Sequence, residues 1–155
     1  MAYNNLATKL ESALFSIIAA IQSSIPTVLI KKGVDGTTIA EPCVIVECSG
    51  GEPDPQLGMT GIWRMRANVI IRTSPDEHQA TAAVHESRVG AVHDSIITDT
   101  IESDLSSAVA DFRVFGDSAI AQSGVMVSGL TQEIRDRGWG SVLTLDVVCC
   151  GSDIA

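Results

Sequence analysis

Hydrophobic and polar residues alternate along the run 61–72, and this alternation is the strongest pattern in the chain. One side of the run carries Trp63, Met65, Ala67, Val69 and Ile71. The other side carries Arg64, Arg66, Asn68, Ile70 and Arg72. A period of two is typical of a strand with one face against a core and the other towards solvent. The pattern therefore predicts a half-buried antiparallel strand.

The first element is predicted to be a helix over 5–23, because its apolar residues recur at helical spacing. They are Leu6, Leu10, Ala13, Leu14, Ile17, Ile18 and Ile21. Pro26 follows and disfavours further helix. Phe15 lies off the apolar stripe, so it is either an edge residue of the core or a contact for a neighbouring subunit.

Two strands and a loop are predicted next. The residues 27–32 favour a strand, 33–36 a turn, and the chain then returns into a strand over 43–48. The residues 49–58 contain three glycines and two prolines, which predicts a mobile loop. Leu57 and Met59 have no clear core partner in this pattern, so we expect them to make a contact on assembly.

A capping signature predicts that a long helix opens at Ser74. Pro75 stands at the first helical position, Asp76 in the first turn, and Glu77 three residues after Ser74. We expect this helix to continue to about residue 97. Asp99 and Glu102 repeat the pattern before a short helix whose apolar residues are Ile101, Leu105 and Val109.

The last third favours strands over 112–115, 125–134 and 139–150. In the final strand Leu143, Leu145, Val147 and Cys149 share one face. The order of elements predicts an α+β fold, a single domain over 1–155 with a mostly antiparallel sheet. The N-terminal helix and the central long helix are expected to pack on that sheet.

Composition adds the expectation of a globular protein with an ordinary hydrophobic core and an acidic surface. The chain has 155 residues, of which 45% are hydrophobic and 19% charged. Its net charge of −9 repels phosphates and disfavours tight nucleic-acid binding. No apolar stretch approaches the roughly 20 residues needed to cross a bilayer, and the N-terminus lacks the basic start of a signal peptide. We therefore expect synthesis and first use in a cytosol.

The residues that can carry chemistry do not form a recognised catalytic or metal-binding pattern. His78, His85 and His93 fall on the predicted second helix, but their nearest spacing is seven rather than the four that a helical metal pair needs. They are expected to be partly buried helix residues. The four cysteines lack C-x-x-C spacing, which favours free thiols over zinc. No nucleophile elbow or phosphate loop occurs, so we expect neither enzyme activity nor a cofactor.

Arg64, Arg66 and Arg72 form the one concentrated basic feature. Such a stripe is usually the solvated face of a sheet. The alternative is a face that forms salt bridges with an acidic neighbour, and the acidic remainder of the chain supplies such a partner in a contact between copies.

Several segments of the sequence together resemble the tail terminator and tail completion proteins of tailed bacteriophages. The resemblance rests on Pro42-x-Val44-x-Val46, the glycine- and proline-rich loop, Gly61-x-Trp63 with alternating arginines, and the histidine- and valine-bearing helix. The closing Gly138-Trp139 before Leu143-x-Leu145-x-Val147 is similar too. The likeness covers about residues 5–150 and is one of pattern and order.

The resemblance implies a virion structural protein, assembled in the host cytoplasm, that forms a homo-oligomeric ring, commonly a hexamer. Such a ring ends growth of the tail tube and docks the head connector, so the implied partners are the tube and connector proteins, with DNA passing without specific binding. The alternatives are a head–tail stopper or adaptor of the neck, or a small enzyme with cysteine or histidine chemistry. From this sequence we expect Arg64, Arg66, Arg72, Leu57, Met59 and Phe15 at the interface.

Overall fold

Among the described residues, helices lie in the first and middle parts of the chain, and strands follow each of these helical parts. The computed structural model describes residues 5–33, 40–53, 62–77, 80–116, 124–133, 135 and 137–151. The helices are Leu6–Ala19 (α1), Ala82–Ile96 (α2) and Ile101–Ala108 (α3). The strands are Leu29–Lys32 (β1), Cys43–Pro53 (β2), Trp63–Thr73 (β3), Arg113–Val114 (β4), Val125–Gln132 (β5) and Trp139–Cys150 (β6).

One mixed sheet joins all six of these strands. Its order is β1-β2-β3-β6-β4, and β5 also pairs with β6. All pairs are antiparallel except β1 with β2, which run parallel in the register Leu29↔Cys43 to Lys32↔Val46. The sequence pattern predicted that the chain turns after β1 and returns directly into β2. That prediction is wrong, because a tight return would make β1 and β2 antiparallel, whereas they run parallel. The predicted turn itself falls largely on 34–36, outside the described residues.

The alternation along β3 is confirmed by burial. Met65, Ala67, Val69 and Ile71 are fully buried, whereas Arg64 and Arg66 are exposed. Trp63 is half-buried and packs against the edge of the same core. On β6, which pairs with β3 along its whole length, the predicted inward residues Leu143, Leu145, Val147 and Cys149 are buried too. The two central strands thus give the sheet one apolar and one polar face.

The apolar stripe of α1 packs against the apolar face of the sheet. Leu6, Leu10, Ala13, Leu14 and Ile18 are all fully buried in the central cluster. Full burial of a leucine or isoleucine contributes roughly 1.5–3 kcal/mol, so this helix is a main source of core stability. The α-helix ends at Ala19 and a short 3-10 helix, Gln22–Ser24, precedes Pro26.

The glycine-rich segment is a strand for its first part, which corrects the predicted loop. β2 continues to Pro53, with a bulge between Cys48 and Gly50. A Cβ at Gly51 would lie 2.4 Å from the Arg64 carbonyl oxygen, so the close approach of β3 requires glycine there. The remainder of the predicted loop, from 54 to 58, lies outside the described residues.

The long helix expected from Ser74 begins instead at Ala82. Thr81 is its N-cap and accepts a hydrogen bond from the Val84 amide at 3.1 Å. Glu77 does reach back to the Ser74 amide, at 3.0 Å, but within a turn. The Glu77 carboxylate is also held by the Arg88 guanidinium at 2.7 and 2.9 Å, and this tertiary contact fixes the turn.

The short helix α3 keeps its predicted apolar residues but starts at a different residue. Ile101 and Leu105 are buried as expected. Thr100, not Asp99, stands at the N-cap position, and its side chain makes no capping bond. Glu102 accepts a hydrogen bond from the Gly124 amide at 2.7 Å and so ties α3 to the start of β5.

The α+β fold class is confirmed, with three helices and a six-stranded, mostly antiparallel sheet in the described part of the chain. The central helix is shorter than predicted. None of the helices among the described residues is long and apolar enough to cross a membrane. Cys43, Cys149 and Cys150 are buried, Cys48 is half-buried, and none of these four forms a disulfide bond.

Candidate assembly surface

The face of the sheet opposite the helices carries the candidate interface arginines. Because side chains alternate along β3, burial of Met65 and Ala67 against the helices directs Arg64 and Arg66 to the other face. Both arginines are exposed. We call this surface around Arg64 and Arg66 the outer sheet face.

An open depression lies on the outer sheet face beside Arg64 and Arg66. It has a volume of about 280 Å³, and its lining is formed by Ser49, Gly50, Gly51, Glu52, Arg64, Arg66 and Asp146. Arg66 makes an ion pair with Asp146 at 3.5 Å, with 63% of its side chain still exposed. An ion pair so exposed contributes little to the stability of the fold and leaves the Arg66 guanidinium largely accessible.

Arg72 has a different role from the other two arginines. Its guanidinium donates to both carboxylate oxygens of Glu133, at 3.0 and 2.7 Å, and is only 32% exposed. The hydrogen bonds from Arg72 hold the pKa of the Glu133 carboxyl below its usual range. Arg135 pairs with Glu41 nearby. Burial raises the pKa of the nearby Cys43 thiol. The charged groups that also act on this thiol are Arg72, Glu41, Arg135 and Glu133. Arg72 therefore joins β3 to the end of β5 within the subunit.

Phe15, another predicted interface residue, lies on helix α1 and not on the outer sheet face. Phe15 is half-buried and packs against the central core from α1. The Lys32 ammonium lies 5.8 Å from the centre of its ring, within cation–π range. Of the two readings left open for Phe15, this position fits an edge residue of the core. Leu57 and Met59 lie outside the described residues.

A second exposed feature, the edge strand β5, did not emerge from the sequence patterns. β5 pairs with β6 on one side, and its residues carry no formal charge. Met126 and Leu130 are 44% and 50% exposed, among the most exposed large hydrophobic residues of the described chain. Edge strands usually carry charge that blocks pairing with other chains. The absence of charged residues in Val125–Gln132 is visible in the sequence. It indicates an edge open to pairing only once the strand order places β5 at the edge of the sheet.

The nearest approach to catalytic chemistry is a buried serine–histidine pair. His85 Nε2 lies 2.8 Å from Ser141 Oγ, a distance at which an unprotonated imidazole nitrogen could take the proton of a serine nucleophile. Both side chains are buried, however, with Ser141 0% and His85 1% exposed, so no substrate reaches them in this conformation. Within the described ranges, no three His, Cys, Asp or Glu side chains are placed to hold a metal ion.

Comparison with known proteins adds no family assignment. No family model matches the chain, and no curated protein matches it. The residues and their geometry therefore carry the functional inference.

Proposed function

We propose that this chain is a structural protein of a tailed-bacteriophage virion, a tail terminator that forms a closed homohexameric ring at the head-proximal end of the tail tube. The ring ends growth of the tube and docks the head connector. The observation that carries the proposal is the outer sheet face, where exposed arginines stand on an otherwise acidic subunit.

Charge supports a contact between copies of the chain. The region 82–111, which holds α2 and α3, contains six carboxylates and one arginine, a net charge of −5. That single arginine, Arg88, is already paired with Glu77. Exposed Arg64 and Arg66 on one copy can therefore meet carboxylates on the helical side of the next.

A contact between two different surfaces of one subunit is heterologous, and it closes into a ring when the rotation between neighbours closes. The uncharged edge of β5 supplies a second surface at which backbone groups of another chain can pair. The net charge of −9 suits a lumen that DNA passes through without adhering, because like charges repel.

The second candidate is a head–tail stopper or adaptor of the same neck region. Either protein would form a ring from exposed surfaces, so the distinction lies in what the ring binds. The enzyme alternative is weaker, because the one serine–histidine pair among the described residues is shielded from solvent.

The test is binding to tail tubes. Purified tubes from particles that lack their neck are incubated with the protein, and electron microscopy locates gold-labelled protein along them. A terminator binds one end of each tube and stops elongation when tube subunits are added. The double variant Arg64→Glu with Arg66→Glu should bind tube ends less, whereas Arg113→Glu with Arg137→Glu, which reverses two other exposed arginines, is the matched control.

The results separate the alternatives. Wild-type protein at one tube end, with tube growth stopped, supports the terminator. Protein that leaves tubes free but binds isolated connectors supports the stopper. Protein that binds neither partner contradicts both assignments.

A further inference from the structure

A chain of hydrogen bonds crosses the interior and joins α2 to three strands. The Arg88 guanidinium donates to Thr73 Oγ1 at 3.1 Å, and Thr73 Oγ1 lies 2.9 Å from His85 Nδ1. On the other side of the imidazole ring, Nε2 lies 2.8 Å from Ser141 Oγ, which donates to Gln132 Oε1 at 3.1 Å. Thr73, His85 and Ser141 are all buried.

The Gln132 end of this chain fixes one proton of the imidazole ring. Ser141 gives its proton to Gln132, so it accepts from His85 Nε2. At the other end Arg88 can only donate, so Thr73 Oγ1 accepts from it and keeps its own proton and a second lone pair for His85 Nδ1. A neutral ring therefore carries its proton on Nε2, and its unprotonated Nδ1 accepts from the Thr73 hydroxyl.

We propose that His85 is an acid-sensitive latch, which holds α2 against β3 and β6 while neutral and loosens this contact when it is protonated. A proton on Nδ1 would point at the proton of the Thr73 hydroxyl, which must then turn away. Thr73 would then accept from both Arg88 and His85, and its own proton would lose the Nδ1 acceptor. Two positively charged groups would converge on one buried oxygen, which disfavours the packing of α2 on the sheet.

The surroundings oppose a charge on this ring. Burial lowers the pKa of His85; Glu86 raises it, while the guanidinium groups of Arg88 and Arg135 lower it further. From the 74–77 turn, Glu77 also faces the region, but its carboxylate is paired with Arg88. Because the pKa is lower in the folded protein, the stabilisation is complete above the unfolded value of about 6.5 and is lost as the pH falls towards the folded pKa.

The first test uses wild-type protein, so it does not depend on any variant folding. Nitrogen-15 NMR of the histidine rings reports the tautomer and the pKa of each ring. We expect His85 with the proton on Nε2 at pH 7.5 and a titration below that of the unfolded chain. A proton on Nδ1, or a titration at or above the unfolded value, would overturn the proposal.

The second test is hydrogen exchange, compared as protection factors at pH 7.5 and pH 5. Protection of α2 should fall at the lower pH, by up to about tenfold for each unit that folding lowers the pKa of His85. His93→Gln, on the exposed side of the same helix, should keep this change, whereas His85→Gln should lose it. An equal loss of protection in all helices, or a change that survives in His85→Gln, would mean that His85 is not the latch.

Discussion

The three arginines of the alternating strand share a residue type and a face but differ in their partners. Arg66 is largely exposed beside Asp146, whereas Arg72 is half-buried and donates two short hydrogen bonds to Glu133. The alternation of β3 predicts the face of each residue. It cannot predict that Glu133, 61 residues further along the chain, meets Arg72 and not Arg66.

This difference predicts unequal effects of removing each side chain. Arg72→Ala should lower the free energy of unfolding by about 1–2 kcal/mol, because it leaves the half-buried Glu133 carboxylate without its two donors. Arg66→Ala should change it by less than about 0.5 kcal/mol, because its ion pair is exposed. Urea denaturation of the two variants at pH 7 measures both values. Equal losses would show that Arg72 has no special role within the subunit.

Among the elements, those with one face in the core were predicted well. β3, β6 and α1 bury most of the residues that their periodicity selects, because removal of apolar surface from water decides which face turns inward. The starts of the helices were predicted less well. Ser74 and Glu77 match a capping box locally, but Arg88 holds Glu77 in a turn, and a one-dimensional pattern contains no sign of that contact. The extension of β2 also depends on its partner strand.

The observed start of α2 can be tested by two substitutions. Thr81→Ala should destabilise the protein by about 1 kcal/mol, since it removes the side-chain acceptor for the Val84 amide. Ser74→Ala should cost less, because the Ser74 hydroxyl accepts only an exposed bond from the Asp76 amide. Thermal denaturation followed by circular dichroism compares the two. A larger loss in Ser74→Ala would indicate that the helix starts at Ser74, as the sequence pattern suggests.

For the whole molecule, the sequence predicted part of the candidate surface. Exposure of Arg64 and Arg66 follows from alternation alone. The exposed edge at β5 and the buried position of His85 between β3 and β6 depend on strand order and on the packing of α2, and neither is encoded in a local pattern. Resemblance in the order of elements suggested a ring, and the outer sheet face supplies a surface on which one can form.

The mass of the assembled particle tests the ring most directly. Native mass spectrometry of the purified protein, and of tail tubes to which it has been added, should give a single closed species with the mass of six 16.3 kDa chains, at least on the tube. Arg64→Glu with Arg66→Glu should weaken that species while the monomer stays folded. A protein that remains strictly monomeric, both alone and on assembled tails, would contradict the account.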